Sequence, residues 1–239
     1  MTDIIRNTIS RFTLGFVFTA DDFPLPVEKQ NTVTKVLNNM VAARQIRRLS
    51  KGRFYKPQMS KFGELPPDTF QIVKDLIEKN GKTTGYLTGY SIFNKLGLTS
   101  QVPVALQIAT RKEKKPVIRG NYRISFLIQH NTITKENIPV LQQLDCLRFF
   151  KDIPDAMPDE ICARLLFLFK QLTPEQLNQA KRLALKYNPA TIALLGAMLE
   201  TLNENEDTTA LFKALNHQSS YKLNISDKIL PNQKKWHIR

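Results

Sequence analysis

The stretch ARQIRRLSKGRFYKP, residues 43–57, sets Arg44, Arg47, Arg48, Lys51, Arg53 and Lys56 around one Lys-Gly pair and contains no acidic residue. Glycine tolerates positive φ, so Lys51-Gly52 predicts a two-residue hairpin turn between short strands Ile46–Leu49 and Arg53–Lys56. Pairing Ser50 with Arg53 sets Leu49 opposite Phe54. That apolar pair is expected to face a core, with Arg48 and Tyr55 on the other face and Lys51 and Arg53 crowning the tip.

Upstream of the hairpin the pattern is helical. Ile4, Ile5, Ile9 and Phe12 make one apolar stripe, which predicts a helix over Thr2–Phe12. Thr19 followed by Asp21 and Asp22 reads as a capped start, and Pro24 and Pro26 keep that element short. A third helix is expected from Val27 to about Arg44, with Val33, Val36, Leu37, Met40 and Val41 inward. Its outer side carries Lys29, Gln30, Asn31, Thr34, Lys35 and Asn38. Helix, short helix, amphipathic helix and basic hairpin is the order of a winged helix-turn-helix. In such a unit the third helix enters the major groove of double-stranded operator DNA, where Gln30, Asn31, Thr34 and Asn38 would meet bases and Lys29 and Lys35 phosphates. Arg47, Arg48, Lys51 and Arg53 would grip the backbone. The bland alternative is a hairpin whose charges are simply solvated.

The whole chain fits that reading. It has 239 residues, 42% hydrophobic and 23% charged, which is a globular composition long enough for two small domains. A net charge of +14 favours an anionic partner. The excess is patchy. Residues 1–60 hold ten basic and four acidic residues, whereas residues 152–210 hold five basic and nine acidic. A second basic patch, Arg111, Lys112, Lys114, Lys115, Arg119 and Arg123, belongs to RKEKKPVIRGNYR. It reads as an extension of the DNA footprint, a site for another acidic surface, or a solvated hairpin. Two cysteines without CxxC spacing suit a reducing cytoplasm, and no segment has the apolar length of a leader or a membrane span.

Pro57 and MSKFGELPP read as a linker, which puts a boundary near residue 62 between a 1–62 DNA-binding domain and a 63–239 domain. The second domain is expected to be α+β. A helix from about Asp68 to Lys79 is followed by a short helix in GYLTGYSIFNKLGL that ends at Gly97. Strands VPVALQIAT and NYRISFLI come next, and helices dominate from Asp145 onward. Thr173-Pro174-Glu175 is a strong start signal for one of them. Trp236, Ile229 and Leu230 predict that the basic tail docks on the protein.

Catalytic readings find little support. NGKTTG at 80–85 imitates the end of a phosphate-binding loop, but Leu76 stands where that loop needs glycine. Glu113 and Lys115 form an ExK that, with Asp68, could be read as a metal-dependent nuclease set, the alternative to a non-enzymatic binder. His130, His217 and His237 match no catalytic spacing, and Cys146 and Cys162 read as small core residues. No enzyme activity, metal or cofactor is expected.

RRLSKGRFYKP, GYLTGYSIFNKLGLTSQVP, QIATRKEKKPVIRG and RISFL, in that order over roughly residues 10–155, resemble the AbiEi-type antitoxins of bacterial type IV toxin-antitoxin systems. The likeness lies in the order and type of segments. It implies an N-terminal winged helix that binds operator DNA and represses the antitoxin-toxin operon. It also implies a C-terminal domain that counters a nucleotidyltransferase toxin in abortive infection. What carries over is Lys29 to Asn38 and Arg47 to Arg53 for DNA. The helices after residue 157 and the tail after 217 lie outside the likeness.

Overall fold

Ile5 and Ile9, four residues apart, are the buried stripe of α1 (Thr2–Arg11). All of residues 1–239 are described in a computed structural model, and the fold is mixed α+β in two units. The first unit comprises Met1–Asp75 with Val117–Arg123, and the second comprises Leu76–Pro116 with Ile124–Arg239.

In the first unit α1 leads to β1 (Val17–Phe18), a strand the sequence reading did not assign. Thr19 then caps a 3-10 turn over Ala20–Asp22: its hydroxyl accepts from the Asp21 N–H, and the Asp22 carboxylate accepts the Thr19 N–H at 2.7 Å. A second 3-10 turn, Val27–Lys29, runs into α2 (Gln30–Ala42), which buries Val33, Leu37 and Met40. The expected helix is therefore present, with its first turn tightened after Pro26. It stops where Arg44 takes a φ of 58°.

The predicted hairpin is β2 (Arg47–Ser50) and β3 (Arg53–Tyr55), turned by Gly52 at a φ of 72°. β3 is central in the sheet order β1-β3-β2 and pairs β1 antiparallel, with Phe18 across from Phe54. Ser50 faces Arg53 as expected, but Arg48, not Leu49, is opposite Phe54, because the register shifts between Arg48 and Ser50. Leu49 is the extra residue of a β-bulge, and both it and Phe54 are buried. Phe18, Phe23, Val33, Leu37 and Phe54 share one core cluster.

The segment after Pro57 is not an open linker. It forms a second hairpin, β4 (Gln58–Ser60) and β5 (Gly63–Leu65), with Phe62 fully exposed at its tip. The first unit also does not end near residue 62. It continues into α3 (Thr69–Ile77) as far as Asp75, whose carboxylate bonds Arg53 and Arg119 within the same unit.

In the second unit β6 (Glu78–Lys79) and β7 (Lys82–Thr83) are joined by Asn80-Gly81, at φ of 51° and 72°. Asn-Gly is the strongest short hairpin signal, and it ends the expected helix at Ile77 rather than Lys79. Part of GYLTGYSIFNKLGL, read as one short helix, is β8 (Gly85–Thr88) followed by α4 (Tyr90–Lys95). β8 pairs antiparallel with β9 (Ala105–Thr110), so closely at Gly85 that a Cβ would lie 2.8 Å from the Ala109 carbonyl oxygen. The strand order is β10-β11-β9-β8, where β10 (Val117–Arg119) and the first two residues of β11 (Tyr122–Ile128) belong to the first unit.

The helical half follows as α5 (Ile138–Arg148), α6 (Pro158–Lys170), α7 (Pro174–Ala184), α8 (Pro189–Leu202) and α9 (Thr209–Lys213). Thr173 caps α7 through its hydroxyl, with Gln176 completing the capping box. α8 is buried almost throughout its length, which matches its near-continuous apolar sequence. The tail docks as expected: Leu230 and Trp236 are fully buried, and a bridge joins Tyr221 to Ile238.

Candidate functional site

Asn31, Lys35 and Asn38 stand at i, i+4 and i+7 of α2 and are all exposed, so they form one polar line on the face opposite Val33, Leu37 and Met40. At its end Asn38 Oδ1 accepts from the Arg48 guanidinium at 2.6 Å. The Arg48 guanidinium carbon stands 5.5 Å from the centroid of the buried Phe54 ring, its cross-strand partner. The helix face and the exposed side of β2 are thereby one continuous polar surface. Lys29 at its start and Lys51 at the hairpin tip are exposed and hold no ion pair.

The other expected contact residues are engaged inside the protein. Gln30 donates its amide to Asp21 at 2.7 Å, and the Thr34 hydroxyl donates to the Gln30 carbonyl oxygen at 3.0 Å. Arg47 donates to Glu64 at 2.8 Å and to the Arg44 carbonyl oxygen at 2.7 Å. Glu64 also accepts from the Tyr55 hydroxyl at 2.8 Å. Burial, followed by that hydrogen bond, pushes the Tyr55 phenol up to about 12. Arg53 donates to Asp75 at 2.6 Å. The absence of acidic residues within 43–57 thus holds in sequence but not in space, since Glu64 and Asp75 arrive from later elements.

The second basic patch is also divided. Arg111, Lys112, Lys114, Lys115 and Arg123 are exposed, whereas Arg119 is 5% exposed. Arg119 is not a surface cation: it grips Asp75 with two bonds of 2.5 and 2.7 Å and the Ile72 carbonyl oxygen with a third of 2.5 Å. Burial works to raise the Asp75 carboxyl, but the bonds from Arg119 and Arg53 outweigh it and hold the group below the usual carboxylate range. Beside this clasp Gly120, at a φ of 55°, comes so close to the Leu49 bulge that a Cβ would stand 2.9 Å from its carbonyl oxygen.

The second unit holds a buried polar network that no sequence motif announced. Asp145, wholly buried, accepts hydroxyl bonds from Tyr86 and Thr88 at 2.7 Å and from Tyr187 at 2.9 Å. Gln129 donates to both tyrosine oxygens at 2.8 Å. Burial raises the Asp145 carboxyl against the pull of its three hydroxyl donors, and burial together with that charge drives both phenols upward. The only sequence signal was an acid set among apolar helix residues.

Cys146 and Cys162 are buried free thiols, both pushed up by burial. His217 and His237 pack with Phe212. No group of three or more His, Cys, Asp or Glu side chains is placed to hold a metal ion. No helix is long and apolar enough to cross a membrane.

Residues 4–148 match the model of a family of unknown function, DUF6088. The chain belongs to this family. No curated protein sequence matches it. Among solved structures this DUF6088 member is similar to the crystal structure of the RV2827C protein from Mycobacterium tuberculosis. The identity is 11% and the TM-score 0.49, with 93% of this chain and 84% of that chain covered. The family match runs from within α1 to the end of α5, and so takes in the α2 face, the β2–β3 and β4–β5 hairpins and the Asp75 clasp.

Proposed function

We propose that the first unit is a winged helix that binds double-stranded DNA, with α2 as the groove-reading helix and β2–β3 as the wing. The observation that carries this reading is the polar line Asn31–Lys35–Asn38, joined to the hairpin through the Arg48–Asn38 bond. Exposed Asn and Lys at one-turn spacing suit base edges and flanking phosphates, and Lys29 and Lys51 add backbone contacts at the two ends. Gln30, Thr34, Arg47 and Arg53 then support the surface from behind rather than touching DNA.

The likeness in segment order to AbiEi-type antitoxins extends the proposal. The protein represses its own operon, and its second unit counters a co-encoded nucleotidyltransferase toxin without catalysis of its own. Toxin-dependent growth arrest with and without co-expression of the chain tests that extension.

For the DNA reading, Asn31→Ala should weaken binding to the fragment upstream of the protein's own gene by about 1–3 kcal/mol and leave random duplex nearly unchanged. Asn31 is exposed, so folding is unaffected. Gel-shift titrations on both DNAs check this, and an equal loss on both removes Asn31 from base reading. Asn38→Ala is a less clean probe because it also releases Arg48.

A further inference from the structure

Where β11 ends, the second unit opens a cleft of about 270 Å³ lined by Ile128, Gln129, His130, Arg148, Lys186, Tyr187 and Asn188. Arg148 closes α5, and Lys186 to Asn188 link α7 to α8. No acidic side chain lines it.

Its floor is fixed. Gln129 is 2% exposed and bridges the Tyr86 and Tyr187 oxygens, while its own oxygen accepts from Asn131. Tyr187 spends its proton on Asp145, so behind the cleft that buried charge is already met by three hydroxyls. Asn188 caps α8 through its carbonyl oxygen, which leaves its amide N–H groups free and the positive end of a 14-residue helix beside the cleft.

The rim carries two cations, Arg148 and Lys186, and Arg148 also acts electrostatically on the buried Asp145 behind it. Lys186 and His130 are exposed, and neither side chain holds a hydrogen bond or ion pair with the protein. Arg148 makes one long bond, 3.4 Å to the Ile128 carbonyl oxygen, and its guanidinium stands 5.2 Å from the Phe149 ring centroid, so most of its donors are available.

We propose that this cleft binds the phosphoryl group of a small phosphomonoester. Two positive charges, Arg148 and Lys186, with N–H donors from four side chains match a dianion with three terminal oxygens better than a carboxylate. The volume lies just under the range of about 300–1,000 Å³ usual for small-molecule sites, which leaves room for a phosphate and a sugar-sized remainder against exposed Ile128. This inference concerns the second unit and is independent of the DNA reading.

The test is calorimetric titration of the full chain with ribose 5-phosphate, inorganic phosphate and ribose. Ribose 5-phosphate and inorganic phosphate should bind saturably, and ribose should not. Tighter binding of ribose 5-phosphate shows that the organic part is read as well as the phosphate. Lys186→Ala should weaken both phosphates about tenfold, whereas Lys170→Ala, exposed at the end of α6 and outside the cleft, should change nothing. Arg148→Gln should weaken them further, with its folding checked by melting because Arg148 is half-buried. Failure of either phosphate to saturate, equal affinity in Lys186→Ala, or loss in Lys170→Ala overturns the proposal.

Discussion

Replacing Trp236 by alanine should cost the second unit about 3–5 kcal/mol. The indole is fully buried, donates to Glu200 at 3.0 Å and meets Phe212 edge-on at a centroid distance of 5.4 Å. It lies so close over α8 that a Cβ at Gly196 would be 2.1 Å from the ring. That fit accounts for a glycine inside a helix, where it otherwise costs about 1 kcal/mol relative to alanine. Removing the indole leaves a cavity under the tail and a Glu200 oxygen short of one donor. Chemical denaturation monitored on α8-rich helix signal measures the loss. A cost below about 1 kcal/mol would mean that the tail only covers a core complete without it.

Asp75→Asn should destabilise the first unit by about 3 kcal/mol, the lower end of the range for breaking a buried ion pair, because the carboxylate is 47% exposed while its partner Arg119 is 6% exposed. The variant leaves the Arg119 guanidinium buried with only the Ile72 carbonyl oxygen as a full partner. It also carries a distinct pH signature. The Asp75 carboxyl is held below its ordinary value in the folded protein, so the stability it contributes is complete above the unfolded carboxylate pKa of about 3.9 and disappears as pH falls through the folded value. Denaturation midpoints from about pH 6 down to about pH 3 should therefore fall more steeply for wild type than for Asp75→Asn. Parallel pH profiles would show that the clasp contributes no net stability.

The helices were legible because each carried a clean stripe or cap: Ile5 and Ile9 in α1, Val33, Leu37 and Met40 in α2, Thr173 before α7. The hairpin at Lys51-Gly52 was legible from its turn residue. Its register was not, because a bulge at Leu49 depends on which face meets the helices and not on the strand's own sequence. β4–β5 hid behind prolines. Pro57, Pro66 and Pro67 flank the short strands rather than interrupting them, and Gly63, at a φ of 112°, sits at their turn.

For the candidate site, sequence located the cations but not their partners. Glu64 lies 17 residues from Arg47, and Asp75 lies 22 from Arg53 and 44 from Arg119, separations at which no local spacing rule applies. These pairs, with the bonds of Gln30 and Thr34, decide which side chains remain free, so the proposed contact set narrows from ten residues to Lys29, Asn31, Lys35, Asn38, Arg48 and Lys51. The Asp145 network was illegible for the same reason, since its donors come from β8 and from the residues just before α8.

Lys51, exposed and unpaired at the hairpin tip, is the sharpest probe of the proposed phosphate grip. Each phosphate neutralised releases condensed counterions, so the log of the DNA binding constant falls against the log of salt concentration by about 0.9 per contact. The measurement is fluorescence-anisotropy titration of wild type and Lys51→Ala on duplex DNA across a series of salt concentrations. Lys51 is fully outside the core and Gly52 keeps the turn, so the variant folds normally. It should flatten the slope by about 1, on upstream and random DNA alike, because a backbone grip carries no sequence information. Wild-type protein that fails to bind duplex DNA, or a slope unchanged in Lys51→Ala, would contradict the account and leave the hairpin a solvated charged turn.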